Sequence, residues 1–550
     1  MCYGWFITGF IWAMALFTVP EWKSCHGCWE QERISLLHLK SSLNNPPYLS
    51  SWIGIGTKNS SDEDCCLWDG VDCNPATGKM TKLDLGSLDE SDFNSLAKPD
   101  INASLFLPFQ ELTLLYLRGY HIPGCIENQG WTHLESLNID DCSISCNNFL
   151  ETVATVMTNL TRLGISLSDL SSPIPPALCT LKHLRVLVLM DNHLRGLLPP
   201  GFISPLMNEV YLSRNQLEGT LPATLSNDQD GISGSDNYTD YSVGVLDLSH
   251  NHLMGTIPNW IGRLPQLSYI LLNDNQFHGE LPCTFCLETS KLIDVSHNHL
   301  SGHIDYEIFT SSDTNCNGRN AYDGPRRDLE FVTKTKTYIY HGWPLLYMNG
   351  FDFSTNNFTG KIPPQIGHLG DTKVLNFSYN MFTGPIPPTI ANLSQIESLD
   401  LSHNNLSGMI PSQLTELHSL SSFSVAYNNL SGKCPQKIAQ FNTFDEDIYR
   451  GNPLLDCTLP LMTPNPLVRR TTYGDDEEGE GGFIDMESFY ISGSISYVLV
   501  LLVIVSVLCI NPYWRWVWFY CVDVTITTCY YFMVDHLPVP TRYKVWQPRV

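Results

Sequence analysis

Residues 396–411 read IESLDLSHNNLSGMIP and residues 184–199 read LRVLVLMDNHLRGLLP; both fit the template L-x-x-L-x-L-x-x-N-x-L-x-G-x-I/L-P. The template's asparagine recurs at Asn192, Asn215, Asn251, Asn275, Asn298, Asn356, Asn380, Asn404 and Asn428, with spacings of 23, 36, 24, 23, 58, 24, 24 and 24. Two of those gaps are insertions. Upstream, Ser168, Cys142, Tyr120 and Leu88 hold the asparagine position in more degenerate turns, about thirteen turns in all. One such turn cannot bury its own apolar face, so the turns must stack. The leucines ahead of the asparagine alternate, which makes a short strand with leucines pointing into a continuous core and x positions pointing out. The asparagine amide both donates and accepts, so a column of them satisfies backbone groups in successive turns where leucine could not. Glycine then permits a tight bend, and proline breaks regular pairing and returns the chain along the far side.

The expected fold is an α/β leucine-rich-repeat solenoid, with a parallel β-sheet on the concave face, an irregular or 3-10 convex side and capping ends, plus one transmembrane helix. The ends of such a stack need closure. Trp52, Cys65-Cys66, Trp68-Asp69-Gly70-Val71 and Cys73, with Glu32 and ISLLHLKSSL upstream, read as an N-terminal cap. Cys434 and Cys457 bracket Phe444 and Gly451-Asn452-Pro453, where a disulfide could close the last turn. Cys25-x-x-Cys28 and Cys283-x-x-Cys286 have metal-ligand spacing, but neither has a second matching pair, and disulfides are the favoured reading over zinc.

The apolar run Trp5 to Val19, followed by Glu21-Trp22-Lys23-Ser24, fits a secretory signal. Fourteen of eighteen cysteines lie between Cys25 and Cys457, and nine Asn-x-Ser/Thr sequons begin at Asn59, Asn102, Asn159, Asn237, Asn357, Asn376, Asn392, Asn405 and Asn429. That pattern is expected of an oxidised, glycosylated ectodomain. Ile491 to Ile510 is a run of twenty uncharged residues, long enough as a helix to cross about 30 Å of hydrocarbon. Acidic residues from Asp475 to Glu480 precede it, and Arg515, Arg542, Lys544 and Arg549 follow, so the C-terminus is expected inside the cell. Trp516 to Val534, interrupted by Asp523, lies along the inner interface or crosses again.

A formal net charge of −25 argues against a nucleic-acid partner. No Gly-rich phosphate loop or catalytic loop is present, and the C-terminal tail is too short for a kinase, so the chain reads as a non-enzyme without cofactor or metal. The expected order is a signal peptide (1–24), N-terminal cap (25–77), about nine repeats (78–304), an insertion (305–346), four repeats (347–434), a C-terminal cap with an acidic juxtamembrane segment (435–490), a membrane helix (491–510) and a cytoplasmic tail (511–550).

The SW…CCLWDGVDC cap, the 24-residue G-x-I-P repeats, the segment LEFVTKTKTYIYHGWPLLYMNGFDFSTNNFTGKIP and the tail NPYWRWVWFYCVDVTITTCYYFMVDH together resemble the plant receptor-like proteins. These pair a repeat ectodomain with a membrane helix and lack a kinase domain. The resemblance implies that 305–346 is the family's non-repeat island and that the chain perceives an extracellular peptide, protein or elicitor, in defence or development, at the plasma membrane. It also implies two kinase partners, an adaptor at the membrane helix and a co-receptor recruited by ligand at the repeats after the island. The repeat array is shorter than is usual in the family, so a shortened paralogue with lost perception is one alternative; an inhibitor or adhesion protein of the same fold is another.

Strand geometry points to candidate ligand contacts at outward, non-consensus positions: Arg185, Met190, Glu209, Tyr211, Arg214, Tyr269 and Asp274. The competing reading is ordinary solvated surface. In the insertion, Arg326 and Arg327, with Lys334, Lys336, Tyr338 and Trp343, suggest a clamp for an acidic ligand, against the alternative of a loop packed on the solenoid edge. For the co-receptor the candidates are Asp400, Ser402, His403, Ser424 and Tyr427. For the adaptor they are Ser488, Ser492 and Ser496, a small-residue stripe four apart on a helix.

Overall fold

The computed structural model describes residues 28–53, 64–86, 98–125, 131–225, 241–310, 322, 324–325, 327–334, 336–340 and 342–457. All belong to the first of two units, which divide between Leu459 and Pro460. The signal segment, the membrane helix, the tail with 516–534, Cys25, Leu88, Asn59, Asn237, Arg326, the Trp343 side chain, Ser488, Ser492 and Ser496 lie outside the described residues. Among the described residues, no helix is long and apolar enough to cross a membrane.

The repeats build a 14-stranded sheet in which Val71–Cys73 runs antiparallel at the edge and thirteen strands from Met80–Leu85 to Ser422–Ser424 run parallel. One face carries the template leucines into a continuous core, with Leu187, Leu189, Leu246, Leu248, Leu399 and Leu401 all buried. The asparagine column forms as expected. Asn298 donates from Nδ2 to the carbonyls of Leu272, Val295 and Ser296, and its Oδ1 accepts from the Phe277 amide. The column runs unbroken across the 58-residue gap, because Asn356 donates to the Val295 carbonyl and accepts from the Leu300 amide. In the degenerate turns Tyr120, Cys142 and Ser168 are buried at this position, with the Ser168 hydroxyl donating to the Ser166 carbonyl. Past the last repeat, Asn452 supplies a further rung, accepting from the Leu430 amide and donating to the Val425 carbonyl, so the C-terminal cap extends the column it closes.

The far side departs from the expected irregular or 3-10 character. Its 3-10 turns are present, for example Pro364–His368 and Pro388–Asn392. A second, 10-stranded sheet also runs from Arg195–Gly196 to Leu454–Asp456, made of the N-x-L-x-G segments. The exact repeat brings these segments into register, and their backbone groups would otherwise lack partners. Glycine at or next to the end of each of these strands except Leu454–Asp456 turns the chain in the left-handed region; Gly255 has φ +85°, and a Cβ there would sit 2.7 Å from the Thr220 methyl.

Both caps are stapled, by Cys28–Cys65 and Cys66–Cys73 at one end and Cys434–Cys457 at the other. Trp52 stacks on Trp68 at 5.8 Å, and buried Glu32 accepts from the Met80 amide, tying the cap helix Glu30–Ser42 to the first parallel strand. Neither C-x-x-C segment closes on itself: Cys28 bonds Cys65, and Cys286 is disulfide-bonded while Cys283 is a free, exposed thiol. A further bridge joins Cys125 and Cys146.

Candidate functional site

The open face of the main sheet consists of the x positions of the strands, and its middle is not open. After His303 the chain makes the 3-10 turn Tyr306–Phe309, whose Ile308 and Phe309 bury in the solenoid core. The departure from the repeat therefore begins after that turn, later than residue 305. It continues as an antiparallel hairpin, Leu329–Thr333 with Lys336–Tyr340, and a helical turn, Gly342–Leu346. In an antiparallel hairpin, directly paired residues share a face. Leu329 and Phe331 lie on one such face and are buried, together with Leu345 and Met348, against Val186, Val188, Tyr211, Val245, Tyr269, Leu271, Leu292 and Val374. These form a second apolar core, on the side of the sheet opposite the first.

That packing revises several expectations. Glu209, Tyr211 and Tyr269 are buried, so they support the insertion rather than face a ligand. Tyr211 donates to Glu209, which also accepts from Tyr322 of the insertion at 2.6 Å. Burial pushes the Tyr269 hydroxyl up to about 12 and raises that of Tyr211 as well. Arg185 is exposed in the turn entering the strand Val186–Val188, whose valines take the outward positions. Asp274 is half-buried and pairs with His250 at 3.2 Å.

The expected clamp for an acidic ligand also changes, because two cations of the insertion, Arg327 and Lys334, meet carboxylates of the solenoid. Arg327 lies 3.6 Å from Asp140 and donates to the Ser166 hydroxyl. Lys334 pairs with Glu397 at 3.2 Å; burial opposes it, but hydrogen bonds from Lys373 and Lys334 hold the Glu397 carboxyl below its ordinary value. In the reverse sense, Arg214 of the repeats pairs with Glu330 of the hairpin, a hydrogen bond that raises the guanidinium further. Rather than lying on the solenoid edge, the insertion is docked on the face of the sheet by apolar contact and bolted by these pairs.

Beneath it lie carboxylates from the repeat's L-x-L position. Asp247, Asp294 and Asp352 are buried, each accepting from the serine amide two residues on. Burial, with Asp352 on the adjacent strand, pushes the Asp294 carboxyl well above its ordinary value; burial raises Asp352 and Asp247 too. Because the folded-state values lie above the unfolded value of about 4, the folded state holds these protons more tightly. Stability is therefore expected to fall as pH rises from about 4 through the folded-state values. Asn376 shows a neutral solution at the next strand, accepting from Ser378 and donating to Asp352 at 2.9 Å. Asp294→Asn is accordingly expected to stabilise the fold at neutral pH by on the order of 1–3 kcal/mol and to flatten this pH dependence. Thermal melts across pH 4–8 would check it, and an unchanged or lower midpoint at pH 7 would count against the buried charge.

Two uncovered regions of the open face hold the remaining candidates. One is a cleft of about 610 Å³ between hairpin and early repeats, lined by Asp140, Met190, Asp191, Arg214, Arg327, Asp328, Glu330 and Ile339. Of the expected ligand residues it gathers Met190, Arg214 and Arg327; Tyr338 is exposed on the hairpin nearby. Asp140, Asp191, Asp328, Glu330 and Ile339 were missed. The other region is the final repeats, where His403 stacks between Tyr379 at 4.0 Å and Tyr427 at 4.3 Å, with both tyrosines exposed. Asp400 and Ser424 are half-buried beside them. Ser402 is buried, its amide donating to Asp400, and is unavailable to a partner. Tyr379 was missed, although it occupies the same template position as His403 and Tyr427.

Asn102, Asn159, Asn357, Asn392, Asn405 and Asn429 are exposed. Asn376 differs: it is half-buried on the open face with its amide engaged, which makes it a poor acceptor in the folded chain.

Comparison with known proteins adds two family models, the leucine rich repeat N-terminal domain over residues 30–74 and the leucine rich repeat over 242–264, 372–393 and 395–417. Cuscuta receptor 1 of Solanum lycopersicum is 52% identical over 227 residues, covering 40% of this chain and 20% of that protein. Receptor-like protein 18 of Arabidopsis thaliana is 27% identical over 276 residues, covering 48% and 32%. The matches thus span about a fifth to a third of the length of these relatives. Among solved structures, the plant peptide hormone receptor RGFR1 in complex with RGF2 is 21% identical with a TM-score of 0.41, covering 70% of this chain and 64% of that one. A plant ice-binding protein is 23% identical with a TM-score of 0.38, covering 79% and 97%.

Proposed function

We propose that this chain, a leucine-rich-repeat relative of the plant receptor-like proteins, is itself a non-enzymatic, kinase-lacking receptor of the plasma membrane. It binds an extracellular peptide or protein in the cleft between insertion and repeats. The observation that carries this reading is that the insertion covers the sheet's middle but leaves a cleft walled by both elements. A ligand there would touch two parts of the chain separated by more than a hundred residues, so its binding would be felt in how the hairpin docks.

Output then comes from partner kinases: an adaptor at the membrane segment and a co-receptor on the uncovered final repeats, where the Tyr379–His403–Tyr427 stack offers aromatic area. Co-purification of the full chain from plant membranes tests this. Capture of a receptor kinase is expected, and His403→Ala with Tyr427→Ala should lower capture of the co-receptor several-fold without affecting the adaptor. Removal of residues 511–550 should abolish signalling, whereas an inhibitor or adhesion protein would work without them. Wild-type protein that captures no receptor kinase under any challenge would end the receptor reading.

A further inference from the structure

The cleft has a definite charge sign. Four carboxylates line it, Asp140, Asp191, Asp328 and Glu330, against two guanidiniums, Arg214 and Arg327. Both guanidiniums are engaged, Arg214 with Glu330 and, at 3.9 Å, with Asp191, and Arg327 with Asp140. Counting −4 and +2 leaves the lining at −2. Asp328 is exposed and has no ion pair among the described residues. Asp140 Oδ1 is shielded from solvent and accepts no hydrogen bond; its ion-pair partner Arg327 stays at 3.6 Å, so a closer donor would improve its position. Burial, with Glu330 adding to it, raises the Asp191 carboxyl in spite of Arg214 at 3.9 Å, a penalty that a further cation would relieve. Met190 and Ile339 supply an apolar wall; Ile339 is 66% exposed, on the hairpin face that it shares with Glu330. The volume suits a side chain of the ligand rather than a metal ion.

Resting on the receptor reading above, we propose that this cleft recognises a cationic side chain, arginine or lysine, of an extracellular peptide, with the aliphatic stem against Met190 and Ile339 and the charged head toward Asp140, Asp191 and Asp328. This is opposite in sign to what the basic residues of the insertion suggest when read alone. Of those residues Arg327 and Lys334 hold the insertion on the sheet, and the acidic groups left over face the cleft. An arginine fits such a lining because its planar donors satisfy several carboxylate oxygens at once while its stem covers apolar surface.

The experiment uses the full chain in detergent micelles and a fluorescein-labelled peptide, Gly-Leu-Arg-Leu-Gly, compared by fluorescence anisotropy with counterparts carrying citrulline or glutamate at the centre. Citrulline keeps the shape of arginine without its charge. The arginine peptide is expected to bind about tenfold more tightly than the citrulline peptide, with the glutamate peptide weakest. Asp140→Asn with Asp191→Asn should remove that preference. Asp328→Asn, at an exposed residue with no ion pair to lose, should weaken the arginine peptide about threefold with the thermal melt unchanged. Equal binding of arginine and citrulline peptides, or a preference that survives all three substitutions, overturns the proposal. Loss of kinase capture with the arginine preference intact would instead remove the receptor reading and leave the cationic site standing.

Discussion

Asn298→Leu is expected to destabilise the solenoid by about 3–5 kcal/mol, because it strips several hydrogen bonds from a site that water cannot reach. The amide is buried, donates to three carbonyls and accepts from one backbone amide, and two of those partners, Leu272 and Phe277, belong to the preceding turn. Leucine matches its size but leaves the Phe277 amide with no partner and the Leu272 carbonyl with only the longer bond from Asn275. Since each turn rests on its neighbours, the damage is expected to open the stack locally before the ends melt. Urea melts followed by tryptophan fluorescence, with limited proteolysis around residues 272–300, would detect it. Gln276→Ala, at an exposed neighbour, serves as the control and should stay within about 0.5 kcal/mol. A melt of Asn298→Leu that matches this control would mean that the column is dispensable.

The second large effect concerns the insertion. Phe331→Ala is expected to cost about 3–4 kcal/mol of docking energy, the range for truncating a buried phenylalanine. The ring packs with Leu329, Leu345 and Met348 on the open face of the sheet. It sits over Gly350, where an added Cβ would lie 2.7 Å from the ring, whereas the parallel neighbour in register is Val374. Glycine at that strand position is therefore part of the docking site. Because hairpin and repeats are held by this contact and a few ion pairs, the loss should appear locally. Hydrogen exchange should quicken across Leu329–Tyr340, and dye binding to the newly exposed Val186, Tyr211, Val245 and Tyr269 should rise, while the asparagine column keeps its protection. Unchanged exchange in the hairpin would show that the ion pairs alone, Arg214 with Glu330 and Lys334 with Glu397, hold it in place.

The signal for that docking was present in the sequence but reads as something else. Template positions that face solvent elsewhere as Asp or Ser are apolar in five consecutive strands: Val186 and Val188, Tyr211, Val245, Tyr269 and Leu271, then Leu292. Taken singly, a tyrosine at such a position looks like a ligand contact. Taken as a run, they mark a covered surface, because solvent-facing apolar runs of that length are uncommon unless something packs on them. The same reasoning applies to the insertion's basic residues, whose partners Asp140 and Glu397 are distant in the chain and invisible to composition.

By itself the sequence determined the repeat: its period, the buried asparagine column, the leucine core and the cysteine-bearing ends. These features arise between neighbouring turns, so each is written many times over at a fixed spacing, and one clear copy such as IESLDLSHNNLSGMIP is enough to read the rest. Only the tertiary structure decided where the insertion goes, which outward residues it buries, and the sign of the cleft it leaves. Those depend on single contacts, such as Arg214 with Glu330 across 116 residues and Tyr322 with Glu209 across 113. A contact made once between distant segments has no period, and its partners come together only after the solenoid has formed the surface on which they meet.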